Sequence, residues 1–317
     1  MSKELLIIGN FNPPIADKLS DLYTVHHTTK DEIAASDGKN FQGVTAVATF
    51  GYAPQNLIDK LPSLEMISSF GVGYDGVAAE HAASKGIMVG HTPDVLNDDV
   101  ANTTIMLLLA TMRRLVLHDK YVRSGAWEKN GDAPLTRSIA GKTVGIVGLG
   151  RIGEAIAHKL SVFNCEVVYH SRNEKPGVAH RYYGDLVEMA SASDVLIVIT
   201  PGGPATNKLI NTDVMNALGP DGTIINLSRG TVIDEQAMIS ALSEGRLGAA
   251  GLDVFEKEPH VPEVLCKMDN VVLQPHVGSA TEETRAAMAQ RVVDNLRAFE
   301  MKGAPINLVP ECEKLRS

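Results

Sequence analysis

Short apolar runs alternate with amphipathic stretches along most of the chain. In the first hundred residues, Leu5–Ile8, Leu22–His26, Val44–Thr49, Met66–Ser69 and Met88–Gly90 read as strands. Helical patterns lie between them, around Ala16–Ser20, Asn56–Leu61 and Val77–Lys85. Strands that alternate with helices across short turns form a parallel sheet covered by helices. A single long helix is predicted from Asp98 to Ser124, capped by Asn97 or Asp98 and ended by Gly125. The stretch Trp127–Ile139, with Gly131 and Pro134, reads as an irregular surface connection in which the Trp127 ring is a packing anchor.

A second alternating series begins at Lys142. Its strands are Thr143–Val147, Glu166–His170, Val195–Ile199, Thr223–Leu227, Ala249–Leu252 and Asn270–Leu273. Helices fall near Arg151–Phe163, Leu186–Ala190, Thr212–Leu218 and Asp234–Glu244, and a last one runs from about Thr281 to Lys302. No third sheet follows that helix, so the simplest topology returns it to the first domain. The expected domains are residues 1–98 with 285–317, and residues 99–284. Two crossings of the chain between domains form a hinge, and an active site is expected in the cleft between them.

Composition narrows the class without choosing a function. The chain has 317 residues, 44% hydrophobic and 21% charged, enough for two globular cores. A net charge of −9 argues against nucleic acid or an anionic membrane surface as the main partner. Cys165, Cys266 and Cys312 are scattered and odd in number, which fits reduced thiols in a cytosolic protein. The sequence opens without a signal-peptide pattern, and its longest apolar stretch, Ile105–Ala110, is too short to span a bilayer.

The strongest chemical signal is Gly148-Leu149-Gly150-Arg151-Ile152-Gly153, which follows the strand Thr143–Val147 and opens a helix. That is the context of a dinucleotide-binding turn. Gly148 allows the turn, Gly150 lets backbone approach a pyrophosphate, and Gly153 lets the helix pack on the strand. The pyrophosphate belongs on the N–H groups of the helix N-terminus. About 20 residues on, an NAD site places Asp or Glu to accept from the ribose hydroxyl. Here Ser171 and Arg172 end the second strand instead. A hydroxyl and a guanidinium suit a 2′-phosphate, so NADP(H) is the expected cofactor, with Lys175 adding positive charge. The alternative is that Arg172 is a solvated loop residue and the enzyme uses NAD(H).

Ligands of such sheets bind beyond the carboxyl ends of the strands. The residues found there are Thr200-Pro201, Ser228-Arg229-Gly230, Asp253 through Glu258, and Gln274 through Ser279. An arginine, an acidic cluster and a histidine thus converge at one sheet edge. Arg229 offers a planar fork to a substrate carboxylate and a developing alkoxide. His276 has the pKa range for proton transfer near neutrality, and Glu258 can fix its tautomer and favour the imidazolium. Gly230 leaves the backbone beside Arg229 open, and Asp253 is expected to contact nicotinamide or ribose. His91 and His170 have no comparable partners and read as structural or surface residues. The pair His26-His27 lacks a further ligand at metal spacing, so no metal site is expected.

With these motifs in their order, the chain resembles the D-isomer-specific 2-hydroxyacid dehydrogenase family over essentially its whole length. The resemblance rests on Gly148–Gly153, Asn226–Gly230, Gly251–Pro259 and Pro275–Ser279. Within the family it is most similar to NADPH-preferring glyoxylate/hydroxypyruvate and hydroxyphenylpyruvate reductases, which share the strand end seen at Tyr169–Arg172. The resemblance implies Arg229, Glu258 and His276 as the catalytic set. It implies that the loop Ser69–Asp75 holds the substrate carboxylate through the N–H groups of Val72 and Gly73, in keeping with an anion nest formed around glycines. Phe50, Gly51 and Tyr52 should line the substrate end. Thr104, Arg151, Ile152, Thr200, Pro201, Thr206, Leu227, Ser228 and Gly278 should face the cofactor.

The expected fold is therefore α/β, with a flavodoxin-like substrate domain and a Rossmann dinucleotide-binding domain, both doubly wound around parallel sheets. The expected activity is NADPH-preferring reduction of small 2-keto acids (glyoxylate, hydroxypyruvate, phenylpyruvate-type) to D-2-hydroxy acids, with His276 as proton donor. The resemblance also implies a homodimer formed through the nucleotide domain and the long helix from Asp98, and a chain of this length is expected to lack the regulatory domain of some phosphoglycerate dehydrogenases. The protein is expected in the cytoplasm. Two other readings are a corepressor-like protein that uses the dinucleotide as a signal, and a dehydrogenase of the same fold acting on formate or phosphite.

Overall fold

The structure, a computed structural model of the chain, describes residues 3–316. The chain divides into two compact units, Met1–Leu96 with Ala280–Ser317, and Asn97–Ser279. Each is a parallel α/β layer structure, as the alternating pattern predicts.

The first unit holds strands β1 (Lys3–Ile8), β2 (Tyr23–Thr28), β3 (Val44–Thr49), β4 (Met66–Ser69) and β5 (Met88–Gly90). They pair in parallel in the order β2-β1-β3-β4-β5. Every residue of β4 and four successive residues of β1 are buried, because helices cover both faces of the sheet. The helix Glu282–Lys302 packs on β4, and Ser68 Oγ donates to the Val292 carbonyl at 3.3 Å. Thr281 caps that helix at the Thr284 N–H, and Gly303 ends it in the left-handed conformation with φ 75°.

The second unit contains β6 (Thr143–Val147), β7 (Glu166–His170), β8 (Arg181–Tyr182), β9 (Val195–Val198), β10 (Thr223–Asn226), β11 (Ala249–Leu252) and β12 (Val271–Leu273). Their order is β12-β11-β10-β9-β6-β7-β8, again all parallel. The chain direction across the sheet reverses between β6 and β9, the switch point where doubly wound folds bind ligands. The helix Arg151–Leu160 buries Gly153, Ile156, Ala157 and Leu160, one apolar stripe at helical spacing.

Several elements differ from the sequence reading. The helix expected over Asp98–Ser124 is two helices, Asn97–Met112 and Leu115–Arg123, bent by 60°. Arg114 takes φ 46° at the break, and the Met112 carbonyl accepts from the Arg137 N–H instead of from the next helical turn. No Gly or Pro marks that position, so local sequence did not signal it. Trp127 lies on a short helix, Ala126–Asn130, and its ring is 59% exposed in this unit, contrary to the packing role expected for it. The helix Lys30–Ala35 was not anticipated, although Thr29 and Glu32 form a capping box that announces it. The two-residue strand β8 was too short to register as a pattern.

Among the described residues no single helix is long and apolar enough to cross a membrane. Likewise, no group of three His, Cys, Asp or Glu side chains among them is placed to hold a metal ion.

Candidate active site

The turn after β6 is shaped by what glycine omits. Gly148 has φ 102°, and a Cβ there would lie 2.9–3.0 Å from Thr200 and the Ile199 carbonyl, at the end of β9. A Cβ on Gly153 would lie 2.3 Å from the Gly148 carbonyl. These two positions seal helix against turn, whereas Gly150 has nothing within 4 Å and is open to a ligand. Gly150 also caps the helix without a side-chain hydrogen bond, so the first turn keeps N–H groups available for an anion. Thr200 Oγ1 and Gln274 Oε1 are buried without a hydrogen-bond partner among the described residues, polar groups of the kind a bound molecule satisfies. This cradle fits a dinucleotide.

At the end of β7, Ser171 Oγ donates to the Asn173 carbonyl at 2.7 Å, and Arg172 is exposed. Lys175 is ion-paired with Glu154 at 2.7 Å, which offsets the positive charge expected from it. Thr206 is held to the Pro201 carbonyl at 2.8 Å. Leu227 and Ser228 are buried, and Ser228 bonds Asn226 Oδ1 through both N–H and hydroxyl. Thr104 is buried, and its hydroxyl donates to the Val100 carbonyl one turn back. Arg151 is exposed and Ile152 half-buried at the start of the glycine-loop helix.

Three strand ends of the same sheet bring together the arginine, glutamate and histidine. His276 Nδ1 lies 2.7 Å from Glu258 Oε2, while Glu258 Oε1 accepts from the Phe255 N–H at 3.1 Å. Burial alone would raise the Glu258 pKa, but the His276 contact, the Phe255 N–H and the charge of Arg229 hold it below the usual glutamate value. Glu258 is therefore an anion at neutral pH, and its bond to Nδ1 leaves Nε2 as the imidazole nitrogen without a hydrogen-bond partner among the described residues. His276 sits at φ 54°, in the left-handed region where non-glycine residues are uncommon and often functional.

Asp253 organises that turn. It is 2% exposed, and its two carboxylate oxygens accept the N–H groups of Val277 at 2.8 Å and Gly278 at 2.9 Å. Its own carbonyl accepts the His276 N–H at 2.8 Å. Burial pushes the Asp253 carboxyl upward in pKa, opposed by those two N–H bonds. Asp253, at the end of β11, thus accepts three successive N–H groups of the His276 segment.

The surroundings of Arg229 differ from expectation. A Cβ on Gly230 would lie 1.9 Å from the Phe255 carbonyl carbon, so Gly230 is in tight backbone contact and is not an open position. That contact ties the Arg229 strand end to the segment carrying Glu258. Two residues to which no role was assigned from the sequence hold the same junction. Asn226 is 1% exposed and bonds the Arg229 carbonyl as well as Ser228, and the buried Glu235 accepts the Glu256 N–H at 3.1 Å. The available signal for Asn226 was its place in the Asn226–Gly230 motif, closing a buried strand after two isoleucines.

Val72, Gly73, Phe50, Gly51 and Tyr52 belong to the first unit. Gly51 takes φ 68°, and Tyr52 is tied to Thr49 Oγ1 through its N–H and carbonyl. Phe50 stacks on Phe70 at 4.6 Å, and the Arg285 guanidinium lies 5.4 Å from the Phe50 ring centre. The Gly71 N–H is bound by Thr92 Oγ1 at 2.8 Å, whereas the N–H groups of Val72 and Gly73 make no hydrogen bond among the described residues. His91, read from the sequence as a structural or surface residue, places Nδ1 3.0 Å from the Val72 carbonyl.

The profile of the D-isomer specific 2-hydroxyacid dehydrogenase NAD binding domain matches residues 105–278, more than half of the chain. The chain belongs to the D-isomer specific 2-hydroxyacid dehydrogenase family. It is an NAD(P)-dependent oxidoreductase. This dehydrogenase is 54% identical to hydroxyphenylpyruvate reductase of Plectranthus scutellarioides over 254 residues, 80% of each chain. It is 50% identical to a glyoxylate/hydroxypyruvate reductase of Arabidopsis thaliana over 269 residues, 85% of each. Among solved structures it resembles an NADPH-dependent glyoxylate/hydroxypyruvate reductase of Sinorhizobium meliloti in complex with NADP and malonate. That likeness has a TM-score of 0.94 and 44% identity and covers 98% of both chains.

Proposed function

We propose that this dehydrogenase is an NADPH-preferring reductase of small 2-keto acids, converting glyoxylate, hydroxypyruvate and phenylpyruvate-type acids to D-2-hydroxy acids. The observation that carries the reading is the 2.7 Å contact of His276 with an ionised Glu258, on the strand-end edge that also bears Arg229. The nicotinamide, when bound, supplies the hydride for the keto carbon. His276 supplies the proton: Glu258 holds Nδ1–H, and Nε2 gives its proton to the keto oxygen. In the reverse direction the neutral imidazole takes that proton from the hydroxyl. Arg229 orients the acid and stabilises negative charge growing on the oxygen.

Val72 and Gly73 bind the substrate carboxylate through their N–H groups, and Phe50, Gly51 and Tyr52 surround its side chain, the aromatic pair favouring aryl substrates. Gly148, Gly150, Arg151, Ile152 and Gly153 hold the pyrophosphate, with Thr104, Thr200, Pro201, Thr206, Leu227, Ser228 and Gly278 along the rest of the dinucleotide. Asp253 acts through the His276 turn that it supports. Ser171 and Arg172 take the 2′-phosphate. The Plectranthus, Arabidopsis and Sinorhizobium relatives support this substrate range, and the NADP complex supports the cofactor.

Residues 1–98 with 285–317 act as the substrate domain and 99–284 as the nucleotide domain of a cytoplasmic homodimer. Exposed Leu115, Val116, Val122 and Trp127, on consecutive helices of the nucleotide domain, support the dimer. A panel of 2-keto acids assayed with NADPH and NADH tests the proposal. A clear NADH preference would defeat the Ser171/Arg172 reading. Dinucleotide binding without reduction of any keto acid would favour a nucleotide-sensing role, and turnover of formate or phosphite alone would replace the substrate class.

A further inference from the structure

The carboxylate reading of Val72 and Gly73 raises a physical question: what aims two backbone N–H groups? In a trans peptide the C=O and the following N–H are coplanar and point in opposite directions. A carbonyl that is held therefore fixes the heading of the next residue's N–H. Both relevant carbonyls are held, and by consecutive residues just beyond β5. The Gly71 carbonyl accepts the Thr92 N–H at 2.9 Å, which sends the Val72 N–H the other way. The Val72 carbonyl lies 3.0 Å from His91 Nδ1, which sends the Gly73 N–H the other way. A carbonyl oxygen carries no proton, so Nδ1 must be the donor.

His91 is itself well anchored. Its N–H donates to the Asn307 carbonyl at 3.0 Å, and its carbonyl accepts from Asn295 Nδ2 at 2.9 Å. Asn295 is fully buried, and its Oδ1 accepts the Asn307 N–H at 3.0 Å. Gly90 makes room for this side chain, since a Cβ there would lie 3.2 Å from Asn295 Nδ2. The His91 ring meets Tyr74 edge-on at 5.4 Å, closing the loop from its far end. Of the two clamps, the one from Thr92 is backbone to backbone. Only the His91 clamp depends on a side chain.

We infer that His91 is a positioning residue for substrate binding: by holding the Val72 carbonyl it points the Gly73 N–H at the substrate carboxylate. The inference rests on the proposed role of Val72 and Gly73. Its effect falls on affinity for the acid and not on hydride or proton transfer, because a carboxylate is bound alike in ground and transition states.

Replacing His91 by Leu removes the donor, whereas Asn places an amide nitrogen at the same bond distance from Cβ as Nδ1. For His91→Leu the KM for glyoxylate rises about tenfold, equivalent to about 1.4 kcal/mol. Its kcat changes by less than about threefold and its NADPH affinity is unaltered, while His91→Asn recovers most of the loss, the pattern of lost uniform binding. Glycine-selective 15N labelling separates the two levels of the argument. In the NADP-bound wild type, oxalate as a carboxylate probe should shift the Gly73 amide, and His91→Leu should shrink that shift. No Gly73 response in the wild type overturns the carboxylate reading itself. A Gly73 response with unchanged KM in His91→Leu overturns the positioning role alone. Equal loss of kcat, NADPH affinity and thermal stability without rescue by Asn also overturns it, in favour of a general folding role. Should His91→Leu not fold, His91→Ala serves the same comparison.

Discussion

Gly230→Ala tests the junction between Arg229 and Glu258 with a single methyl group. The added Cβ would lie 1.9 Å from the Phe255 carbonyl carbon, 2.1 Å from its oxygen and 2.3 Å from the Glu256 nitrogen. All three are backbone atoms, so no side-chain rotation relieves the overlap. Restoring an ordinary contact of 3.4 Å requires about 1.5 Å of relative movement between the two segments. Glu258 lies three residues beyond Phe255 and bonds its N–H, so displacement of that segment carries the carboxylate off the 2.7 Å contact with His276. A misplacement of about 1 Å at a reacting group costs about 10²-fold in rate. Overpacking of a rigid site costs about 1–3 kcal/mol of stability. Gly230→Ala should therefore lower kcat about 100-fold and shift the urea midpoint downward, with dinucleotide affinity less affected. Gly184→Ala is the control, since its Cβ meets nothing closer than 3.8 Å. Steady-state kinetics and urea unfolding read both effects. Wild-type kcat in Gly230→Ala would show that the Phe255–Glu258 segment moves freely and that its contact with Gly230 does not set the catalytic geometry.

Other perturbations probe separate parts of the site. His276→Ala should cut kcat by about 10²–10⁴ while NADPH binding persists, and near-normal turnover would remove it as proton donor. Arg172→Ala should raise the KM for NADPH about tenfold or more and leave NADH nearly unchanged, consistent with loss of a charge-assisted contact; equal effects on both cofactors would count against a 2′-phosphate site. The His276 contact, the Phe255 N–H and the Arg229 charge hold the folded-state pKa of Glu258 below the ordinary glutamate value, so it contributes stability that is complete above that ordinary value and lost as pH falls through the lower folded pKa. Between pH 5.5 and 3, the wild type should lose more urea stability than Glu258→Gln, and parallel curves would refute the assignment.

Much of this protein was legible in its sequence because the signals are local. Period and composition located most strands of both sheets, since a strand buried on two faces must be apolar throughout, as in the fully buried β9. The glycine loop was equally plain, because tight turns and close backbone approach admit few other residues at Gly148 and Gly153. His276, Glu258 and Arg229 could be nominated because each follows a strand, and parallel strands deliver their carboxyl ends to one edge. Folding alone decided what those nominations mean. Whether Glu258 reaches Nδ1, which N–H groups the Asp253 carboxylate accepts, and whether Gly230 is open or packed all depend on segments far apart in sequence. The break at Arg114 is of the same kind: a carbonyl there is claimed by Arg137, more than twenty residues away. His91 is the plainest case. It read only as a structural or surface residue because its partner, the Val72 carbonyl, is a backbone group, and every residue in a chain carries one. Side-chain chemistry can be read from letters, but which of many identical carbonyls a donor meets is settled only by the packing that brings them together.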